Sequence, residues 1–327
     1  AAHAGDLGVL DIGVPPGLKE ESEIELELLE RSWVAEHLPK RLLDSHKGTF
    51  GHVLVVAGSR NYVGAAYLVS QASVRAGAGL TTLATPECVY PIAAAKSTEP
   101  IHLPLLDDEE GRVAAEAAQE LRDASRQYTN IVVGCGLGLS DGTVKFVEEL
   151  LFSQESSGLT ELPVLVDADG LNNLARINDW PERPHGPITL TPHPGEMATL
   201  TGLSTPEVQA DRVAVAREYA ARWNVTLVLK GANTVIARPD GTVRVASFAN
   251  PGMASGGTGD VLSGIIGGLM AQGLAPDIAA SCGVYLHGEA GLEIVSRQGN
   301  TGLAASDLLP EIPAAIRRLR EIWHRSL

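Results

Sequence analysis

Short apolar runs alternate with longer stretches of helical spacing from His52 onward, and that alternation predicts most of the fold. Val53–Ala57 (VLVVA), Leu80–Ala84, Asn130–Gly134 (NIVVG), Val164–Ala168 (VLVDA), Ile188–Thr191 and Val225–Leu229 read as buried strands. Gly64–Ala76 and the segments after the later strands read as helices. Runs of about five apolar residues separated by helices argue βαβ units and a parallel sheet buried on both faces. After Lys230 the pattern changes: Thr234–Ala237 and Thr242–Ala246 flank Pro239-Asp240-Gly241, a hairpin-like turn. From Thr258 to the end the chain reads as mostly helical. The expectation is one α/β domain over residues 47–320.

The amino-terminal part is less regular. Leu7–Pro16 reads as a short strand ending in a Pro turn, and residues 1–20 are taken as the tail of an upstream unit. Residues 21–46 read as a connector, in which Ile24, Leu26, Leu28 and Leu29 fit a strand or a short helix equally well.

Composition narrows the function. A net charge of −15 disfavours a nucleic-acid partner or an anionic membrane surface, since both need a basic face. The longest apolar tract, Val261–Ala275, is broken by Ser263, Gln272 and glycines, and falls short of the ~20 residues of a span. Cys88, Cys135 and Cys282 are odd in number and widely spaced, which suits buried thiols of a cytoplasmic protein.

In an open parallel sheet, ligands sit beyond the carboxyl ends of the strands, and five strand ends here carry Gly, Asp, His or Lys. Gly58–Ala65 forms a Gly-bounded loop, and Cys135-Gly136-Leu137-Gly138 allows close backbone approach. Asp167 and Asp169 are either site acids or caps of the next helix. Thr191–Glu196 (TPHPGE) holds His193 between two prolines, as a site residue or a structural one. Lys230-Gly231-Ala232-Asn233-Thr234 follows the strand before the hairpin. The densest run is Asn250–Gly264, NPGMASGGTGDVLSG. Its glycines open a turn before an apolar helix, where unpaired N–H groups and the helix dipole attract an anion. Asp260 beside such a site is either a first-turn acid or a general base acting on a hydroxyl that meets a phosphate. No metal-ligand spacing, Walker P-loop or G-x-S-x-G frame is present.

Seven ordered motifs carry a resemblance: KGTFGHVLVVAGS (47–59), RAGAGLTTLATP (75–86), VVGCGLG (132–138), VLVDADGLN (164–172), LTPHPGEM (190–197), LKGANTVI (229–236) and the Asn250–Gly264 run. Together they closely resemble the ADP/ATP-dependent NAD(P)H-hydrate dehydratases, the carbohydrate-kinase-like half of the bifunctional nicotinamide-nucleotide repair enzymes. The resemblance covers residues 40–320 and implies a ribokinase-like three-layer α/β/α fold with a central, mostly parallel sheet. It implies a hydro-lyase that restores NADH or NADPH from the hydrated form, consuming ADP or ATP and releasing phosphate with AMP or ADP. Mg²⁺ would bridge the nucleotide phosphates without a dedicated protein cage.

Carried over motif by motif, Asp260 is the catalytic base, and Gly257, Thr258 and Gly259 form the anion hole. Lys230, Gly231, Ala232, Asn233, Thr234 and Gly259 contact the nucleotide; Ala65, Gly136, His193 and Asp260 contact the hydrated dinucleotide. The resemblance also implies a cytoplasmic homotetramer, and it likens residues 7–16 to the last strand of the epimerase domain. Cys135 departs from the family pattern, where Pro is common. The alternative reading is a ribokinase-like small-molecule kinase acting on a sugar or vitamin-precursor alcohol, which would share Asp260 and the Gly turn.

Overall fold

The computed structural model describes residues 25–153 and 161–323, so the strand expected over residues 7–16 lies outside the described residues. Ten strands form one sheet: β1 (Leu26–Leu28), β2 (His52–Val56), β3 (Leu80–Pro86), β4 (Ile101–Leu105), β5 (Asn130–Val133), β6 (Val164–Val166), β7 (Ile188–Leu190), β8 (Thr226–Leu229), β9 (Val235–Ala237) and β10 (Val243–Val245). Their spatial order is β1-β10-β9-β8-β7-β6-β5-β2-β3-β4. Every pair is parallel except β8–β9 and β9–β10, the expected hairpin region.

Side-chain alternation along the strands builds two cores. Val53, Val55, Val132, Leu165 and Val228 point to one face of the sheet. There they meet α2 (Val63–Ala76), α10 (Thr258–Ala271), α11 (Pro276–Gln298) and α12 (Ala305–Trp323). Leu54, Val56, Ile131, Val133, Val166 and Leu227 point to the other face. That face is covered by α4 (Ala117–Asp123), α5 (Asp141–Phe152), α6 (Asp169–Leu174), α7 (Pro194–Thr201), α8 (Thr205–Ala210) and α9 (Arg212–Trp223). Helices thus cover both faces, and the three-layer architecture is the expected one.

Two stretches were not legible in the sequence. Residues 25–46 contribute β1, which pairs in parallel with β10, and α1 (Arg31–His37), which buries Val34. Arg244 clamps this edge, its Nε 2.9 Å from Glu27 Oε2 and its guanidinium 4.5 Å from the Trp33 ring centroid. Between Pro86 and Asn130 the chain adds α3 (Tyr90–Lys96), edge strand β4 and α4. β4 carries Pro104, which an edge strand tolerates because one of its sides needs no donor.

The position of α10 sets up the site. Methyl groups built on Gly264 and Gly268 would fall 2.3 Å from the Val69 carbonyl oxygen and 2.6 Å from that of Ser73. These glycines therefore let α10 lie directly against α2. Both helices point their amino ends at the carboxyl edge of the sheet, where the connections leaving the paired strands β2 and β5 run to opposite sides, β2 towards β3 and β5 towards β6. That is the topological switch point at which open α/β sheets bind ligands.

Candidate active site

The amino end of α10 presents free donors. Gly257, its N-cap, has φ 91°, and a methyl group there would lie 2.6 Å from Leu68 Cδ1. A side chain would be both strained and crowded, so glycine is required. The glycine cap has no side chain to accept from these N–H groups, and the Thr258 hydroxyl beside it is directed at the Met253 and Ser255 carbonyls, 3.0 Å each. Among the described residues the N–H groups of Gly257, Thr258, Gly259 and Asp260 find no acceptor. Four unpaired donors at a helix start form a concentrated anion site.

Asp260 lies in this first turn. Burial pushes its pKa up to about 6, the negative charge of Asp167 pushes the same way, and the Cys135 thiol and Lys230 oppose them. A carboxylate tuned near neutrality is ionised in time to act and basic enough to take a proton.

Beneath it lies a buried ionic cluster. Asp167, at the end of β6, accepts from Lys230 Nζ (2.6 Å) and from the Ser263 hydroxyl (2.6 Å), one turn along α10 from Asp260. Lys230 Nζ also lies 3.7 Å from Glu196 Oε2. Burial alone would lower the Lys230 pKa, but Asp167 and Glu196 raise it above the ordinary lysine value, so it stays charged. Asp167 is therefore no helix cap. Asp169 is a first-turn residue of α6 whose Oδ2 accepts the Gly138 N–H at 2.8 Å, fixing the glycine loop.

A cavity of about 740 Å³ opens beside the α10 turn, lined by His193, Lys230, Gly231, Ala232, Thr234, Thr258 and Gly259. Asn233 turns in αL conformation (φ 55°) with its N–H on the Phe248 carbonyl. Ala65 and Gly136 lie outside that lining but against one another: a methyl on Gly136 (φ 66°) would be 2.9 Å from Ala65 Cβ and 2.6 Å from Tyr62 Cβ. The Ser59 hydroxyl holds the Gly136 carbonyl at 2.8 Å. The site thus has two parts. The cavity groups most of the Lys230–Thr234 segment with His193. The Ala65–Gly136 contact forms a second part, joined to Asp260 through Cys135.

His193 serves as the N-cap of α7. Its Nδ1 accepts from the Gly195 and Glu196 N–H groups at 3.0 and 3.2 Å, while Glu196 Oε2 accepts the His193 N–H at 2.7 Å, closing a capping box. An accepting Nδ1 places the ring proton on Nε2.

Two residues the motifs did not suggest support the site. His287 on α11 lines the cavity, with Nε2 2.9 Å from the Thr258 carbonyl, and burial pushes its pKa down to about 4. It is a neutral donor steadying the α10 turn, and its sequence signal is a lone His between Leu286 and Gly288 in a long helix. Arg212 donates to the Ala232 and Leu229 carbonyls at 2.5 and 2.9 Å, holding the Lys230–Thr234 loop in shape. An arginine seventeen or more residues upstream gives no local sign of that task.

Sequence and fold are both similar to those of known proteins. The carbohydrate-kinase family model described as NAD(P)H-hydrate dehydratase matches residues 53–314. The bifunctional NAD(P)H-hydrate repair enzyme of Moorella thermoacetica is 42% identical over 98% of this chain and 59% of its own length. The chain therefore spans about three fifths of that relative. The ADP-dependent (S)-NAD(P)H-hydrate dehydratase of Neisseria meningitidis is 37% identical over 93% of this chain and 97% of its own. The crystal structure of the ADP/ATP-dependent NAD(P)H-hydrate dehydratase of Bacillus subtilis, co-crystallized with ATP/Mg²⁺, superposes with a TM-score of 0.77 at 32% identity, covering 90% of this chain and 98% of that one. On a matched sequence, a matched fold and a phosphate-ready site, the chain belongs to the NAD(P)H-hydrate dehydratase family.

Proposed function

We propose that this protein restores NADH or NADPH from its hydrated form, using ADP or ATP to turn the ring hydroxyl into a phosphate leaving group. The observation that carries the reading is Asp260, a carboxylate with a pKa of about 6, set in a turn of unpaired N–H donors. A general base beside a phosphate cradle is what phosphorylation of an alcohol requires.

Asp260 takes the proton of the ring hydroxyl, and the hydroxyl oxygen bonds to the terminal phosphorus while the bond to the bridging oxygen breaks. AMP or ADP leaves. The ring nitrogen lone pair then expels phosphate, and loss of a neighbouring ring proton restores the double bond. Hydroxide leaves poorly and phosphate well, which explains the need for a nucleotide. The N–H groups of Gly257, Thr258 and Gly259 stabilise the phosphoryl oxygens, about 3 kcal/mol for each well-placed donor by analogy with oxyanion holes.

Lys230, Gly231, Ala232, Asn233, Thr234 and Gly259 hold the nucleotide in the cavity, with Lys230 the fixed cation. Ala65 and Gly136 in the second part and His193 on the cavity wall hold the hydrated dinucleotide between them, with Asp260 at the junction of the two parts. Among the described residues no three His, Cys, Asp or Glu side chains converge to hold a metal. That donor set fits Mg²⁺ entering on the nucleotide phosphates, since the ion keeps its waters and needs few protein ligands. When bound, it neutralises charge on those phosphates.

No helix among the described residues is long and apolar enough to cross a membrane, and the net charge is −15. The charge supports an enzyme working without nucleic acid, and we place the repair in the cytoplasm. The homotetramer implied by the family resemblance is checked by sedimentation. The activity is tested by supplying hydrated NADH or NADPH with ADP or ATP. Recovery of reduced-nicotinamide absorbance with equimolar phosphate supports a dehydratase, whereas a stable phosphorylated alcohol would mark a kinase.

A further inference from the structure

At the far end of α10 from Asp260, about 20 Å away by helical rise, lies a second cavity of about 480 Å³. Its floor is apolar, with Leu38, Leu269 and Ile316, and its rim carries Arg41, Arg75, Arg317 and Arg320 against a single acid, Glu321. Four arginines meeting one carboxylate on a chain of net charge −15 need a physical reason.

Helix capping accounts for only part of it. Arg41 donates to the Gly77 carbonyl at the end of α2, and Arg320 Nη2 donates to the Pro39 carbonyl at 2.6 Å. Gln272 takes the Ala76 carbonyl at 3.0 Å, so the helix end is already served. Each tethered arginine thus uses one N–H on a backbone oxygen and keeps the rest of its fork free. These bonds orient the guanidinium groups without neutralising them. Arg41 stacks 3.8 Å from the Phe50 ring centroid, which again leaves its charge intact.

The carboxylates nearby do not complete the pairing. Among the described residues none lies within 4.0 Å of Arg41, Arg75 or Arg320. Arg317 reaches Glu321 at 3.9 Å, with both side chains more than half exposed, a weak contact. Glu99 feels Arg75 through space but bonds to Gln71 at 3.0 Å. Burial and the charge of Arg41 both lower the Arg320 pKa, the mark of like charges held together without a counter-ion.

We infer that this groove is a second binding site, separate from the catalytic cavity, for a phosphate or oligophosphate group held by Arg41, Arg75, Arg317 and Arg320. Planar guanidinium forks match phosphate oxygens in pairs, and a pre-fixed pair loses less freedom on binding. The apolar floor admits the organic part of a phosphorylated small molecule. Inorganic phosphate offers the same charged group without that part.

The test is calorimetric titration of the full chain with pyrophosphate, inorganic phosphate and ADP at low ionic strength. Wild type, R41Q/R320Q and R75Q/R317Q are compared, with melting curves for each. The expected result is a groove site for pyrophosphate, distinct from any uptake at the α10 anion turn, that weakens at least ten-fold in R41Q/R320Q and at least three-fold in R75Q/R317Q while the α10 component is unchanged. It persists in D260N, whose change lies at the other end of α10. Among the described residues Arg75 and Arg317 bond to no backbone atom, so R75Q/R317Q should fold and decides the matter if R41Q/R320Q does not. A groove component of ADP binding tighter than that of inorganic phosphate assigns an ester-borne phosphate; the reverse order assigns the free ion, and either sustains the site. Pyrophosphate affinity and stoichiometry unchanged in a cooperatively folded R75Q/R317Q would overturn it.

Discussion

Lys230 Nζ and Asp167 Oδ1 stand 2.6 Å apart in the buried floor of the site, where the carboxylate also takes the Ser263 hydroxyl and helps set the basicity of Asp260. Breaking such a pair from one side leaves a buried charge without its partner. K230M should therefore cost about 3 kcal/mol in unfolding free energy. K230M/D167N should cost less than the sum of the two single changes, because the double variant buries no orphan charge. Additive losses in a denaturation cycle would show that the pair is not coupled.

The acidic limb of the rate profile reports Asp260. Its carboxyl must be ionised to act, so kcat/KM should fall about ten-fold per pH unit below a pKa of about 6. Lys230 draws that pKa down, so K230M should shift the limb to higher pH. A limb that stays in place in K230M would remove Lys230 from the electrostatics of the base.

Two groups pull acid stability in opposite directions. His287 is held neutral down to about pH 4 against an ordinary 6.5, so the unfolded chain binds its proton first and stability falls as pH drops through that window. Asp260 has its pKa raised from 3.8 to about 6, so the folded chain binds its proton first and stability rises as pH drops from about 6 towards 3.8. The windows nearly coincide. D260N should lose stability between pH 6 and 4 more steeply than wild type, and H287Q less steeply. Parallel melting curves across that range for all three proteins would refute the assignment.

His193 has two jobs to separate. H193A removes the cap of α7 and should cost about 1 kcal/mol. It should also raise KM for the hydrated dinucleotide more than KM for the nucleotide. H193N, with a capping side chain of its own, should restore the melting temperature but not that KM. Full recovery of both by H193N would reduce His193 to its cap.

The central sheet was legible because βαβ units repeat one apolar pattern, and Val53 to Val56 is buried whichever way each side chain points. β1 was ambiguous for a physical reason. All three of its residues are exposed, so burial chose no face, and the apolar positions Leu26, Leu28 and Leu29 fit strand and helical spacing alike. Its pairing depends on β10, more than two hundred residues away. Asp260 and the α10 glycines stood out because a turn, a close helix contact and an anion site all demand small residues at neighbouring positions. Asp167 did not reveal its role, since a strand-end acid looks alike as a helix cap or as the partner of Lys230. Arg212 and His287 act across the fold on backbone carbonyls, and such bonds leave no spacing to find.

Asp260→Asn should slow turnover by about 10²–10⁴ while nucleotide affinity changes little. Loss of the base removes the proton acceptor and also a charge that repels phosphate. Retention of more than about a tenth of the rate would move the base to another carboxylate, with Asp169 and Asp167 tested next.

The central claim is that the ring hydroxyl leaves as phosphate, and the fate of its oxygen tests this most directly. Hydrated NADH carrying heavy oxygen in that hydroxyl is turned over with unlabelled nucleotide, and the released phosphate is weighed by mass spectrometry. One heavy oxygen in each phosphate is the predicted result, because the hydroxyl oxygen bonds to phosphorus before it leaves the ring. Unlabelled phosphate, with the heavy oxygen recovered in water, would contradict the account.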